Sequence, residues 1–270
     1  MEVLSLCREI TGEEGEQYRI RYALMEERCG RITASELGQI VSASGKVIDG
    51  NLSYVRAKRF ERGHGFSLPV SARAMDIGNE TEPDIFRWAV ENLPECGAAR
   101  FVYSKDLPEV PFWVPGDMPM FGASPDAYSE DESVVLEFKT MVGNETVEFF
   151  CDGRTCYEEK ALRVFKDHGP QILGLFLSNP KVRSVVLVKY VPQRDDIMKD
   201  LDSPLAPWRG VVFRFRREDY VESIEGMRRR VLLFDAFIDS DMNPSRMKDG
   251  WELVDGKLVK VEKERKSVSG

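Results

Sequence analysis

Three runs rich in β-branched and aromatic residues, SVVLEFKT (133–140), VRSVVLVKYV (182–191) and GVVFRFR (210–216), constrain this chain more than any other feature. Apolar almost throughout and bounded by turn formers, they predict strands. AARFVYS and PMFGASP add two shorter ones upstream. Helical patterns surround them at 14–29, 33–43, Tyr54–Arg62, Ala72–Glu91, 167–178 and Glu218–Ile238. The second of these opens with Thr33 and Glu36 at capping-box spacing. The fourth carries an irregularity at Gly78–Pro83. Near the end, Asp255-Gly256 between alternating runs predicts a hairpin. The expected fold class is α/β, a mixed central sheet flanked by helices. At 270 residues the chain can bury one sizeable core. The expected organisation is therefore one domain over 1–250 with a helical N-terminal part, followed by a C-terminal hairpin and frayed tail over 251–270.

Composition narrows the function classes. The chain is 42% hydrophobic and 31% charged, which suits a packed core and excludes wholesale disorder. No secretory-type leader and no apolar run of about 18 residues is present, so a cytoplasmic location and no membrane partner are expected. The cysteines at 7, 29, 96, 151 and 156 are odd in number and scattered, and read as free thiols. With His64 and His168 the only histidines, neither a structural zinc site nor an iron-sulfur cluster is expected. The formal charge of −8 opposes a polyanion spread over the whole surface, so any nucleic-acid face must be local. Acidic groups gathered around metal ions add to the same excess.

The densest chemistry lies in FGASPDAYSEDESVVLEFKT (121–140). Asp126 follows a strand-like segment and a Ser-Pro turn, while Glu137 and Lys139 are two apart in the next strand and share one face. A hairpin between the two strands would bring Asp126 beside Glu137. Carboxylates gathered in this way repel each other unless a hard cation lies between them, and all-oxygen ligation suits Mg²⁺. The lysine can orient an attacking water or neutralise charge building on phosphorus. The plainer reading of the same residues is an exposed cross-strand pair and a turn aspartate.

Four segments, Arg28 with CGRITASEL (29–37), GNETEPDIFRWAVEN (78–92), FGASPDAYSE…VVLEFKT (121–140) and HGPQILGLFLSN (168–179), resemble in order and separation the motifs of the lambda-type exonucleases, or YqaJ-like viral recombinases. The resemblance spans roughly 24–180. It implies a PD-(D/E)XK, restriction-endonuclease-like core. It implies metal ligation by Glu82, Asp126, Glu137 and the Phe138 carbonyl, with Lys139 as catalytic lysine and Gln171 contacting the site to hold Lys139 or the attacking water. Glu82 matches the family position, not Glu80, because it lies four residues after Gly78 and precedes a proline. Arg28, Ser35 and Ser124 match the grip on a 5′-terminal phosphate. An arginine fork with two hydroxyls, Ser35 in the first turn of a helix, makes a good anion site in any case. The chain departs from the family at Ala127, at Thr140-Met141 after the E-x-K, and at Leu173, where a second glutamine is usual.

The function so implied is a Mg²⁺-dependent (or Mn²⁺-dependent) deoxyribonuclease. It would digest one strand of double-stranded DNA from its 5′ end and leave 3′ single strands for phage-type recombination. A homotrimer, a single-strand annealing protein as partner and a phage or prophage source in a bacterial host go with that reading. The alternatives are an endonuclease or RecB-like helper nuclease of the same fold, or a non-catalytic DNA-end-binding module. Arg56, Lys58, Arg59 and Arg62 on one helix suggest either phosphate contacts along a duplex or a solvated basic face. Arg228-Arg229-Arg230 reads as surface. SASGK lacks the spacing of a phosphate-binding loop, and neither a dinucleotide fingerprint nor a nucleophile elbow is present.

Overall fold

The computed structural model describes residues 27–44, 52–65, 67, 73–141, 157–192, 203–240, 242 and 250–261. Most of the helix expected over 14–29, the frayed tail, and Cys7, Cys151 and Cys156 lie outside them.

In chain order the described elements begin with β1 (Ile32–Thr33), a 3-10 helix (Ala34–Gln39), α1 (Leu52–His64), α2 (Arg73–Asn92) and α3 (Pro94–Ala98). Next come β2 (Phe101–Tyr103), β3 (Phe121–Gly122), β4 (Ala127–Ser129), β5 (Val134–Thr140) and α4 (Tyr157–Ser178). The chain then forms β6 (Ser184–Tyr190), β7 (Gly210–Arg216), α5 (Val221–Asp239), β8 (Trp251–Val254) and β9 (Lys257–Lys260). The central sheet has the order β2-β4-β5-β6-β7. It is mixed: β5 and β6 run parallel, and the other neighbours are antiparallel. A parallel pair needs a crossover, and α4 lies within the connection from β5 to β6.

The apolar runs of β5, β6 and β7 are buried on both faces, which is why their sequences do not alternate. Val135, Val185, Leu187, Phe213 and Phe215 pack into one core with Ile172 and Phe176 of α4 and Val231, Phe234 and Phe237 of α5. Leu136, Phe138, Val186 and Val188 face the other way, onto Ile85, Trp88 and Ala89 of α2. The sheet is thus a middle layer, with α2 on one side and α4 and α5 on the other. Gly174 lets α4 approach the 3-10 helix closely, since a Cβ there would stand 2.7 Å from that of Ala34. Pro83 lies inside α2, which continues through the irregularity expected at Gly78–Pro83.

Several expectations are corrected. The helix expected over 33–43 is a single 3-10 stretch, capped as anticipated by Glu36, which accepts the Thr33 N–H at 3.2 Å. PMFGASP does not join the central sheet. Phe121 and Gly122 instead lie parallel to β1, with Thr33 opposite Gly122, while Ala123 bridges to Trp113, and Gly122 stays a glycine because a Cβ would meet the Phe112 ring at 2.4 Å. The three-residue strand β4, too short to carry a pattern, was not foreseen. The helix expected from 167 starts at Tyr157.

The basic helix also proves different from either reading. Lys58 is buried and ion-paired with Glu36 and Glu61. Arg59 donates to the carbonyls of Phe237, Ile238, Ser240 and Met242, so it caps the end of α5. Arg62 pairs with Asp235 and Asp239 and donates to Gly30 O. Of the four cations only Arg56 is exposed. The helix docks onto α5 through its charges, leaving neither a duplex-lining surface nor a solvated basic face. Arg228 is tied to Asp117 across the surface.

The β8–β9 hairpin turns at Asp255-Gly256, where both residues have positive φ (50° and 73°), as a primed turn requires. Trp251, Leu253 and Leu258 pack against the main core, with the Trp251 ring edge-on to Phe237 at 5.9 Å. Among the described residues no helix is long and apolar enough to cross a membrane.

Candidate active site

The hairpin from β4 to β5 pairs Ala127 with Leu136, so Asp126, one residue before β4, comes opposite Glu137. The Asp126 carboxylate accepts the Phe138 N–H at 2.7 Å, which locks it against β5. Glu137 and Lys139, two apart on the strand, share the face covered by α4. From α4, Gln171 donates to Glu137 Oε1 at 2.6 Å. Lys139 Nζ donates to the same oxygen, also at 2.6 Å. Gln171 therefore holds the glutamate and not the lysine. Glu137 is only 2% exposed, and its other oxygen, Oε2, is buried without a hydrogen-bond partner.

Glu82 comes from α2, on the opposite side of the sheet. Its oxygens take the Tyr103 hydroxyl at 3.2 Å and the Lys105 ammonium at 2.5 Å. Neither partner was singled out from the sequence, where a lysine after a short strand carries no distinguishing signal. Lys105 also donates to Asn79 Oδ1 at 3.2 Å.

The electrostatics tie the three carboxyls together. Burial, reinforced by the neighbouring Asp126 charge, pushes the Glu137 carboxyl up to about 8 in spite of Lys139. Burial raises Asp126 too, against the pull of Lys139 and the Phe138 N–H. Glu82 is raised by burial and then by Asp126, with Lys105 opposing. Burial alone would lower the Lys139 ammonium, but Glu137, Asp126 and Glu82 together outweigh it and raise its pKa. Next to this pair His168 is kept neutral: burial, then Lys189 and Lys139, push its imidazole down to about 3. Lys189 is the rung partner of Lys139 on β6 and is buried.

Among the described residues no three His, Cys, Asp or Glu side chains are already drawn into a coordination shell. Each carboxylate is turned instead to its nearest protein donor. The donor set nonetheless fits a hard divalent cation: three coupled carboxyls, one with an unsatisfied buried oxygen, and no soft ligand among them. Such a cation would offset the burial that raises all three pKa values and the repulsion by Asp126 that adds to it at Glu137 and Glu82.

The residues that the sequence motifs single out for a terminal phosphate are partly assembled. Arg28 donates to Ser35 Oγ at 3.0 Å and to Thr33 Oγ1 at 3.4 Å, and the two hydroxyls lie 3.2 Å apart. Ser124 sits two residues beyond the Thr33–Gly122 rung, its hydroxyl buried and without a partner.

No protein-family model and no curated protein matches the chain. Solved structures do. An alkaline exonuclease, LHK-Exo from Laribacter hongkongensis, superposes with a TM-score of 0.53 at 19% identity, over 80% of this chain and 93% of that one. Its complex with dAMP gives 0.57 at 19% identity, over 83% and 95%. A phage-related exonuclease from Haemophilus somnus 129PT gives 0.53 at 13% identity, over 77% and 95%. The chain has the fold of the PD-(D/E)XK exonucleases. These neighbours are of the lambda-exonuclease type that the four sequence motifs resemble. Within the PD-(D/E)XK fold, Asp126, Glu137 and Lys139 occupy the β4–β5 hairpin and Gln171 the crossover helix.

Proposed function

We propose that the protein is a divalent-metal-dependent DNA exonuclease whose active centre is built by Glu82, Asp126, Glu137 and Lys139. The observation that carries the reading is the meeting of Asp126 and Glu137 across the β4–β5 hairpin, electrostatically coupled to Glu82 and with the Lys139 ammonium 2.6 Å from Glu137. The fold shared with exonucleases supports it. Glu82, Asp126, Glu137 and the Phe138 carbonyl would hold Mg²⁺ or Mn²⁺. A bound divalent cation supplies an activated water and neutralises charge on the phosphate in an in-line displacement. Lys139 aims its positive charge at the same phosphate, and Gln171 fixes the Glu137 carboxylate so that its unpartnered oxygen faces the site. Arg28, Ser35 and Ser124 would receive a 5′-terminal phosphate, giving 5′-to-3′ digestion of double-stranded ends and 3′ single strands for recombination. A homotrimer, a single-strand annealing protein as partner and a phage or prophage setting in the bacterial cytoplasm belong to the same proposal.

The test uses end-labelled linear duplexes, with and without a 5′ phosphate, beside a closed circle, in Mg²⁺, Mn²⁺ or EDTA. Linear DNA is expected to shorten from the 5′-phosphorylated end, in metal only, while the circle survives. Cutting of the circle would make the protein an endonuclease. Lys139→Ala is expected to lower the rate by about 10²- to 10³-fold with the fold intact, as removal of one charge-stabilising group does elsewhere. Full activity in that variant, or activity in EDTA, would overturn the assignment.

A further inference from the structure

Both oxygens of Glu82 are already taken by donors of the protein itself, Tyr103 on Oε1 and Lys105 on Oε2. Glu137 differs, with one oxygen crowded and the other bare. Lys105 approaches from the short 3-10 turn Ser104–Asp106 that follows β2, independently of the strand that carries Lys139. Its side chain is 42% exposed against 12% for Glu82, so the ammonium lies between the buried carboxylate and solvent. It also acts on Asp126, whose charge it favours.

We propose that Lys105 is an exchangeable counter-ion for Glu82, a positioning residue that a divalent cation displaces. The inference rests on the metal-dependent reading above. With Tyr103 on one oxygen and the ammonium on the other, Glu82 has no bare oxygen like that of Glu137 to offer a dication. The ammonium has no lone pair with which to ligate a dication and would repel it at that oxygen. Its flexible four-carbon stem lets it swing outward instead. In the metal-free protein the ammonium neutralises the Glu82 corner. Once the metal is held, it is freed toward the solvent side, where the phosphates of a DNA strand would pass. Lys105 thereby sets how readily Glu82 accepts the cation, a role distinct from that of Lys139.

The experiment reads the position of the amine directly, in the wild-type protein without DNA. Acetylation of Lys105 is followed by mass spectrometry in EDTA and in MgCl₂, with the exposed Lys181 as internal reference. Lys105 is expected to react several-fold faster in Mg²⁺, and an unchanged or slower rate would overturn the proposal. Independently, Lys105→Met should reach half of its Mg²⁺-dependent rise in Tm at a concentration about threefold or more below wild type, because the competing charge is gone. Lys105→Arg should stay near wild type, and a Lys105→Met titration matching wild type would also count against the displacement. If wild-type Tm does not respond to Mg²⁺ or Mn²⁺ at all, the metal-dependent function fails and takes this inference with it. If the metal response is normal and only the Lys105 readouts are flat, this inference alone fails.

Discussion

Glu137 combines near-complete burial, two donors on one oxygen and none on the other, and a carboxylate neighbour. Its folded carboxyl keeps its proton up to about 8, whereas an unfolded glutamate releases it near 4.5. Between those values the folded state binds more protons than the unfolded one, so stability falls as pH rises through the window. Asp126 and Glu82 are shifted in the same direction and add to the effect. Below about 6.5 this is opposed by His168, which the fold keeps neutral, so in EDTA Tm should decline from about pH 6.5 to about pH 9, and the stabilisation by Mg²⁺ should grow over the same range. Melting curves with and without metal at several pH values check this, and an EDTA series flat across that range would contradict it. At this scale the sequence was readable where spacing alone decides the outcome. The two-residue period put Glu137 beside Lys139, and the short link made Asp126 their partner. Tyr103 and Lys105 were not legible, because their closeness to Glu82 depends on how α2 lies against β2, which no local pattern encodes.

Helices and long strands were legible as elements because their apolar positions recur with a fixed period, but the fate of their polar faces was not. The α1 helix illustrates the limit. Its cations at 56, 58, 59 and 62 are indistinguishable in the sequence, yet three are consumed by Glu36, Glu61, Asp235, Asp239 and the carbonyls that end α5. A helix terminus leaves carbonyls without intrahelical donors, and a partly buried guanidinium such as that of Arg59 supplies several at once. Arg59→Met should accordingly cost about 2–3 kcal/mol in urea unfolding, whereas Arg56→Ala, at an exposed position, should stay within about 0.5 kcal/mol. Equal effects of the two would show that the capping role is absent. β4 escaped notice for a different reason: three residues are fewer than two full alternations, so its strand character comes from β2 and β5 on either side.

Across the whole molecule, the layered arrangement lets two halves of the chain meet at one point. The sheet supplies Asp126, Glu137 and Lys139, α4 supplies Gln171, and α2 contributes Glu82 from the opposite face. The β8–β9 hairpin is packed against the main core through Trp251, Leu253 and Leu258. Ending the chain at residue 249 should bare Phe237 and its neighbours on α5. The product should melt several degrees lower and bind a hydrophobic dye, a result that scanning fluorimetry records directly. A truncated chain as stable as the full one would mean that the hairpin adds nothing to the fold. The place of Pro83 gives the three carboxylates unequal freedom. Without an N–H, Pro83 leaves the carbonyl of Asn79 without its usual partner, and Thr81 donates its hydroxyl back to Ile77 O, so α2 lacks a ladder bond beside Glu82 while Glu137 lies within β5 and Asp126 is tied to it by the Phe138 N–H. Deuterium uptake should divide α2 there, slow over 85–92 and faster upstream. The compliant member of the trio is thus the one on the helix, able to close on an arriving ion while the other two stand still.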